Sequence, residues 1–290
     1  MEILVLGGTR LMGIHMTEEL LRLGHQVTIA NRGLTKDSFG DRVKRLMVER
    51  TNPEDLKKKL EDHKYDLVCD SLAYCSLDVK ALLEAVSGRH YTMISTVSVY
   101  PWKLDLAEED FDPRTYPLKW CQRADYPYDE IKRQAECALF QTYKDRRAAA
   151  VRFPYVIGSD DYTKRLFFYV EHMINKRPMH IDNLQEQLSF IAADDAGRFL
   201  TWVSLTEYCG IINGAGKGTI SLEEILQYVE RKTGIKAILT PEGEAAPYNG
   251  TPSFSLDTCR AESLGYSFQS TEDYIYDLLD YYIDTASQSI

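Results

Sequence analysis

Two side chains four residues apart could together move a proton. Tyr128 and Lys132 stand in the segment Tyr-Asp-Glu-Ile-Lys, and on a helix this spacing places both on one face, one turn apart. An ammonium group beside a phenol favours the phenolate and lowers the pKa of the hydroxyl. Such a tyrosine can take a proton from a substrate hydroxyl, or return it, while a hydride leaves or joins the carbon that carries this hydroxyl. Because this spacing is common by chance, it indicates catalysis only where the surrounding elements agree.

Hydroxyl side chains lie at the end of a predicted strand upstream of this pair. Residues 91–95 form a short apolar run, which Ser95 and Thr96 close within the segment Ser-Thr-Val-Ser-Val-Tyr. Ligands of parallel sheets bind outside the carboxyl ends of the strands, where a hydroxyl can donate a hydrogen bond to a substrate oxygen. We therefore predict Thr96, Tyr128 and Lys132 as catalytic residues, with Ser95 beside them. The alternative is that these hydroxyls only cap the strand.

A glycine-rich turn stands near the start of the chain. Gly7-Gly8-Thr9-Arg10-Leu11-Met12-Gly13 follows an apolar strand pattern at 2–6 and opens a helical pattern at 11–23. Gly7 permits a tight turn, a small neighbour lets the backbone approach a pyrophosphate, and Gly13 lets the helix pack closely on the strand. The N–H groups and positive dipole end of that helix favour phosphates. The turn predicts a dinucleotide site; the alternative is a plain strand–helix turn.

The residues at the end of the second predicted strand indicate which dinucleotide the site prefers. An acidic residue there would bind the ribose 2′-hydroxyl of NAD, but this sequence has Asn31-Arg32-Gly33. Arg32 could pair with the 2′-phosphate of NADP, which a carboxylate would repel. We therefore predict a preference for NADP over NAD, with Asn31 and Arg32 in the site and Lys132 on the nicotinamide ribose. The alternative is an exposed turn arginine that leaves NAD acceptable.

Strand and helix patterns alternate through the first 155 residues. Such alternation is typical of βαβ units, whose right-handed crossovers place helices on both faces of a parallel sheet. The predicted fold class is therefore α/β, a doubly wound Rossmann sheet. The predicted strands lie at 2–6, 26–30, 43–48, 66–70, 91–95 and 148–153, and the helices at 11–23, from 52, at 77–86 and at 128–143.

The remainder of the chain is less regular and predicts a small second lobe. We expect residues 1–158 to form the dinucleotide-binding domain, which also receives about 184–218, whereas 159–183 and 219–290 form a discontinuous substrate lobe. Lys164, Arg165 and Arg198 could meet a phosphate, or could be surface charges. The helical patterns lie at 162–175, 193–205, 221–233, 257–264 and 271–283, and the strand patterns at 187–191 and 210–213.

In this order the motifs resemble those of the NAD-dependent epimerase/dehydratase family, the extended short-chain dehydrogenases/reductases. The resemblance rests on the segments at 7–13, 31–33, 95–100 and 128–136, and continues through 152–158 and 190–195 before it thins after about Gly218. It implies a Rossmann fold, a nicotinamide cofactor and a small-molecule substrate of the sugar-nucleotide type. It also implies that two copies pair as a homodimer through the helices at 77–86 and 128–143.

The resemblance further implies roles at matched positions. Tyr128 and Lys132 match the catalytic tyrosine and lysine, and Thr96 matches the family's catalytic hydroxyl. Three groups match cofactor contacts: the phosphate loop, the segment that touches adenosine and ribose, and the segment beside the nicotinamide. These groups are Gly7, Thr9, Arg10, Leu11 and Met12; Ser71, Leu72 and Ala73; and Phe153, Pro154 and Val156.

Two features depart from the family pattern. Arg10 stands at the middle glycine of the turn, a form that resembles a Gly-Gly-Thr-Arg subgroup with chloroplast stem-loop RNA-binding relatives. The chain is also short for a sugar-nucleotide epimerase. Both features leave the sugar-nucleotide substrate open, but not the dinucleotide.

The composition and net charge of the chain limit the classes of partner that it is expected to bind. The chain has 290 residues, 44% apolar and 27% charged, with a net charge of −10, an ordinary globular profile. The negative net charge disfavours a nucleic acid or an anionic membrane as a partner. The sequence contains no apolar run of about 18 residues, so we predict no membrane span. The six cysteines and six histidines show no metal-ligand spacing, so we expect no metal. Without a secretion signal, we interpret the cysteines as reduced thiols of a cytoplasmic protein.

Three functional hypotheses follow. The first is an NAD(P)-dependent oxidoreductase, epimerase or dehydratase acting on a sugar nucleotide or a related hydroxyl or carbonyl compound. The second is a regulatory or RNA-associated module that binds the dinucleotide without turnover, motivated by the Gly-Gly-Thr-Arg subgroup. The third is a reductase of simple carbonyl compounds, which would consume NADPH steadily, whereas an epimerase returns its hydride internally.

Overall fold

A parallel sheet of seven strands forms the centre of the computed structural model, which describes residues 1–288. The strands are β1 (Glu2–Leu6), β2 (Gln26–Asn31), β3 (Lys44–Met47), β4 (Lys64–Asp70), β5 (Ser87–Thr96), β6 (Ala148–Phe153), β7 (Tyr155–Ile157), β8 (Met179–His180), β9 (Gln187–Leu188), β10 (Phe190–Ala192), β11 (Gly210–Asn213), β12 (Ile220–Ser221) and β13 (Glu244–Ala245). The α-helices are α1 (Met12–Arg22), α2 (Pro53–Leu60), α3 (Ser76–Ala85), α4 (Tyr128–Cys137), α5 (Arg165–Ile174), α6 (Ala193–Leu205), α7 (Leu222–Thr233), α8 (Cys259–Ser263) and α9 (Thr271–Ser287).

The strand order of the central sheet is β11-β6-β5-β4-β1-β2-β3, and every neighbouring pair is parallel. The chain therefore runs outwards from β1 in two directions, through β2 and β3 on one side and through β4, β5 and β6 on the other. At such a switch point the loops after adjacent strands diverge and leave a crevice at the carboxyl edge. The predicted doubly wound fold is confirmed.

Helices cover both faces of this sheet. On one face α1 packs against α6, where Met16 and Leu20 join Phe199 in a buried cluster. On the other face α2 and α3 pack together over the sheet, with Leu56 and Leu82 in a second cluster that also includes part of α4. Burial on both faces explains why strands such as β1 and β6 are largely apolar runs rather than alternating ones.

A further apolar core lies beside these layers. It gathers buried side chains of α5, α7 and α9, such as Val170, Ile225 and Leu279, together with Tyr100 from the segment after β5. The segment that follows the carboxyl end of β5 is therefore anchored in this core. Among the helices of residues 1–288, none is long and apolar enough to cross a membrane.

Two predicted helix starts are confirmed by their caps. The Asn52 side chain accepts hydrogen bonds from the backbone N–H of Glu54 at 3.1 Å and of Asp55 at 3.2 Å. At the start of α7, Ser221 and Glu224 form a reciprocal capping box, in which each side chain accepts a hydrogen bond from the other's backbone N–H. These bonds satisfy amide groups that a helix start leaves without partners.

Two other predicted elements are wrong in their extent. The helix predicted over 128–143 is α-helical only through Cys137 and continues as a π-helical segment, Ala138–Thr142. The strand predicted over 187–191 is two strands with different partners, since β9 pairs antiparallel with β12 and β10 pairs parallel with β7. The unpredicted β7 has only three residues and directly follows Pro154, so it is too short to show a strand period.

Candidate active site

A cavity of about 770 Å³ opens at the carboxyl edge of the sheet, where the ends of β1 to β6 contribute to its wall. Ala73 is the predicted site residue that lies outside the lining. It is buried behind the wall, where its carbonyl oxygen accepts a hydrogen bond from Lys132 Nζ. The predicted residues that line the cavity are Gly7, Thr9, Arg10, Leu11, Met12, Asn31, Arg32, Ser71, Leu72, Ser95, Thr96, Tyr128, Lys132, Phe153, Pro154 and Val156.

The glycine turn is shaped by close backbone approach. Gly7 has a φ of +95°, and a Cβ at this position would lie 2.0 Å from the Oγ of Ser71. A Cβ on Gly13 would lie 3.0 Å from the Cα of Gly8, so the absence of a side chain lets α1 pack directly on the turn. The first turn of α1 has no side-chain cap and no acidic residue. Its N-terminal amide groups can therefore meet a phosphate.

The predicted ribose end of the cavity carries Asn31 and Arg32. The Asn31 amide donates a hydrogen bond to Thr9 Oγ1 at 3.4 Å, which ties the end of β2 to the glycine turn. Arg32 is exposed on the cavity wall. Glu49 stands nearby after β3; hydrogen bonds from Thr51 lower its pKa, and the charge of Arg32 adds to this effect. This end therefore holds an arginine and an ionised carboxylate together.

Lys132 is held from behind the cavity wall. Its Nζ donates to the carbonyl oxygens of Ala73 at 2.8 Å and Ile94 at 2.6 Å, and the residue is 4% exposed. Burial lowers the pKa of Lys132 to about 8, although the nearby charge of Glu136 opposes the shift. The ammonium form has three N–H donors, and the neutral amine has one fewer. With two donors engaged by carbonyls, only the charged form keeps one for a group in the cavity.

Tyr128 begins α4 at the rim of the cavity. The residue as a whole is 49% exposed, but burial around the hydroxyl raises its pKa, while a hydrogen bond with Thr96 and the charge of Arg165 lower it. Sequence reasoning assigned the cationic effect on Tyr128 to Lys132. In the structure Arg165 is the cation that favours the phenolate, since Lys132 Nζ is directed to backbone carbonyls.

Ser95 lines the cavity, but its hydroxyl is engaged in the interior. Its Oγ donates to Glu136 Oε1 at 2.5 Å, and the same carboxylate pairs with Arg152, whose Nη2 lies 2.5 Å from Oε2. Both charged residues are fully buried. The Ser95 hydroxyl thus connects the end of β5 to this ion pair and to α4, whereas Thr96 is the neighbouring hydroxyl that contacts Tyr128.

Basic side chains predominate among the charged residues of the cavity wall, although the whole chain has a net charge of −10. Glu49 is the acidic residue in the lining, against six basic ones. Sequence reasoning missed Arg50 and Arg123, which come from the segment after β3 and from a long loop, where no motif marks them. Arg50 pairs with Asp70 at 2.7 Å. The six basic residues are Arg10, Arg32, Arg50, Arg123, Lys132 and Arg165.

A contact across the cavity joins the glycine turn to the segment before α5. The Arg10 guanidinium lies 4.7 Å from the ring centroid of Tyr162, and both residues line the cavity. Arg165 follows as the first residue of α5 and also lines the cavity. Of the other predicted phosphate contacts, Lys164 lies outside the lining and Arg198 pairs with Asp194 at 2.8 Å.

A doubly wound sheet with a glycine turn beneath its first helix and a basic cleft at its switch point defines a dinucleotide-binding α/β protein. Residues 3–210 match the model of the NAD dependent epimerase/dehydratase family. This match covers well over half of the chain, and the protein belongs to that family. The resemblance inferred from the sequence motifs is confirmed.

Solved structures share this fold over nearly the whole chain. UDP-glucuronic acid 4-epimerase from Bacillus cereus, in complex with UDP-glucuronic acid and NAD, superposes with a TM-score of 0.76 at 21% identity, covering 100% of both chains. UDP-glucose 4-epimerase from Thermotoga maritima, with UDP-glucose, has a TM-score of 0.76 at 16% identity, covering 98% of this chain and 99% of the other. At these identities the likeness shows the fold alone.

A curated relative comes from a plant. The protein is 24% identical over 266 residues to the chloroplast stem-loop binding protein of 41 kDa b from Arabidopsis thaliana, which covers 86% of this chain. The match spans 66% of that relative, slightly less than two thirds of its length.

Proposed function

We propose that this protein is an NAD(P)-dependent enzyme that moves hydride to or from a hydroxyl- or carbonyl-bearing carbon of a sugar nucleotide or related small molecule. The observation that carries the proposal is that one cavity contains both the glycine turn and the side chains of Thr96, Tyr128 and Lys132. The first can bind a pyrophosphate, and the second can move a proton. The cavity volume, about 770 Å³, is typical of small-molecule sites.

The lining suits a nicotinamide dinucleotide. Gly7 and Gly13 leave the backbone free where a pyrophosphate must approach, and the six basic side chains offset its charge. Arg32 at the ribose end supports a preference for NADP, because a guanidinium pairs well with a 2′-phosphate. When bound, the dinucleotide supplies or accepts the hydride.

The protein's own residues would handle the proton. The raised pKa keeps Tyr128 a phenol at neutral pH, ready to donate to a developing alkoxide, and the Thr96 hydroxyl lies beside it. The third N–H of Lys132 would hold a ribose hydroxyl of the dinucleotide. The Thr96, Tyr128 and Lys132 side chains would thus orient both reactants around one carbon.

The substrate would lie against the side of the cavity formed by Tyr155, Tyr162 and Arg165. We assign 159–183 and 219–290 to this substrate lobe and the rest to the dinucleotide domain. The UDP-sugar ligands of the fold relatives motivate a sugar nucleotide as the substrate. An epimerase or dehydratase would return the hydride to the same molecule, whereas a reductase would release oxidised dinucleotide.

A matched pair of tyrosine variants tests the proposal. Tyr128→Phe removes the phenol in the cavity, whereas Tyr126→Phe removes an exposed phenol outside its lining. Dinucleotide affinity, measured by calorimetry, should be equal in both variants. Conversion of UDP-glucuronic acid or UDP-glucose, followed by chromatography, should fall by about 10²- to 10⁴-fold only in Tyr128→Phe. Equal turnover in the two variants would show that Tyr128 is not the proton donor.

The plant relative's name motivates a second candidate, an RNA-associated module that binds the dinucleotide without turnover. The net charge of −10 opposes RNA binding, and we expect no gel shift with stem-loop RNA at physiological salt.

A third candidate, a reductase of simple carbonyl compounds, is distinguished from an epimerase by a different assay. Steady NADPH consumption with simple aldehydes or ketones would favour that reaction over epimerisation.

A further inference from the structure

Arg165, like Arg10 and Arg32, has no carboxylate within ion-pair distance among residues 1–288, unlike two other arginines of the cavity. Arg50 pairs with Asp70 at 2.7 Å, and Arg123 pairs with Asp78 at 2.9 Å. The ion pairs of the described chain include none that involves Arg165, although it lines the cavity. Its positive charge is therefore available to a ligand.

Neutral groups hold the Arg165 guanidinium in place. Its Nε donates to Thr163 Oγ1 at 3.2 Å, and its central carbon lies 5.3 Å and 5.8 Å from the ring centroids of Tyr155 and Tyr248. Contacts with aromatic faces orient a guanidinium without neutralising it. In the described chain the N–H groups on both Nη atoms have no acceptor. Together they form a planar edge that matches the two oxygens of a carboxylate.

The position of Arg165 links this edge to the reacting groups. Arg165 and Tyr128 line the same cavity, and the charge of Arg165 lowers the pKa of the Tyr128 hydroxyl. Arg165 begins α5, which packs in the apolar core beside the sheet layers, whereas Arg32 follows β2 of the dinucleotide-binding sheet. A negative group on Arg165 would therefore lie near the reacting carbon rather than at the ribose end.

We propose that Arg165 binds a substrate carboxylate close to the carbon whose hydroxyl exchanges a proton with Tyr128, so that the substrate is a sugar acid rather than a neutral sugar. This inference rests on the proposed function, since Tyr128 marks the reacting carbon only if hydride chemistry occurs in the cavity. It predicts that Arg165 discriminates between substrates and does not hold the dinucleotide.

Two probes that differ at one position test this inference. UDP-glucuronic acid has a carboxylate where UDP-glucose has a hydroxymethyl group, and each is titrated into the whole protein saturated with NAD or NADP. The wild type should bind the acid at least about tenfold more tightly. Arg165→Met should weaken binding of the acid alone and abolish the preference, and Arg165→Lys should keep part of it. The control Lys164→Met removes a charge one residue away, outside the lining, and should keep the full preference.

Each other outcome overturns the assignment in a recognisable way. Equal wild-type affinity for the two probes, or binding of neither to the dinucleotide-loaded protein, excludes a carboxylate site at Arg165. An equal loss of both probes in Arg165→Met assigns the guanidinium to the diphosphate, and a loss of dinucleotide affinity assigns it to the cofactor. Failure of the wild type to bind either dinucleotide would instead refute the proposed function, and the first titration detects it separately.

Discussion

The buried ion pair beneath the cavity should dominate the response of stability to mutation. Glu136 and Arg152 are both fully buried, with Nη2 to Oε2 at 2.5 Å and Nε to Oε1 at 3.0 Å. Glu136→Gln keeps the volume of the side chain but places an amide, partly a donor, against a guanidinium that is only a donor. Arg152 retains its bonds to the carbonyl oxygens of Glu108 and Phe111, both at 3.0 Å. Its charge, however, loses the carboxylate that pairs with it.

Removing one partner of a buried pair costs about 3–5 kcal/mol, because the remaining charge stays desolvated. For a chain of this size each kcal/mol lowers Tm by about 2–4 °C, which gives an expected fall of about 6–20 °C. Thermal unfolding followed by circular dichroism measures this shift, and urea unfolding checks that the m-value is unchanged.

A surface pair provides the matched control for this substitution. Glu19 contacts Arg22 at 2.6 Å, but the Arg22 side chain is 68% exposed, so Glu19→Gln should produce no resolvable shift. If Glu136→Gln unfolds at the same temperature as Glu19→Gln, the reasoning that the buried pair anchors α4 is wrong. If Glu136→Gln cannot be purified in folded form while Glu19→Gln can, the loss of stability exceeds the expected range and supports the role of the buried pair as an anchor.

Two further predictions concern the dinucleotide. Because burial lowers the pKa of Lys132 to about 8, its third N–H is present below that pH and lost above it. Wild-type dinucleotide affinity should therefore fall about three- to tenfold between pH 7 and pH 9, whereas Lys132→Met should bind weakly at both; a pH-independent wild type would contradict this. Arg32→Ala should weaken NADP at least about tenfold and leave NAD unchanged. Lys36→Ala, an exposed charge of the same loop outside the lining, should change neither, and equal losses of NADP and NAD in Arg32→Ala would refute the role of Arg32.

The sheet and the glycine turn could be predicted because their signals are local. Buried strands such as β1 and β6 are largely apolar runs, and Asn52 and Ser221 mark helix starts through bonds to residues two or three positions away. The turn could be predicted because only glycine fits at two of its positions. A Cβ would lie 2.0 Å from a neighbouring atom at Gly7 and 3.0 Å from one at Gly13. Such constraints depend on a few consecutive residues, so the sequence displays them.

The remaining features depend on contacts between distant segments. Arg50 and Arg123 reach the cavity from segments without any motif, and their partners Asp70 and Asp78 come from other elements. Nothing in the spacing of Tyr128 and Lys132 shows that backbone carbonyls of β5 and the segment after β4 would hold the lysine. The split between β9 and β10 is also non-local, because each half pairs with a different strand.

The depth of α4 explains why the proposed catalytic pair of Tyr128 and Lys132 needs an anchor further along the helix. Tyr128, Lys132 and Glu136 follow at intervals of four residues, and their exposures fall from 49% to 4% to 0%. The helix therefore runs from the cavity rim into the core. Its start has no side-chain cap, since Pro127 precedes it. Its position is instead set from the buried end, where Glu136 binds both Arg152 of β6 and Ser95 of β5. The same serine precedes Thr96, so one buried carboxylate fixes the helix that carries Tyr128 relative to the strand that carries its hydroxyl partner.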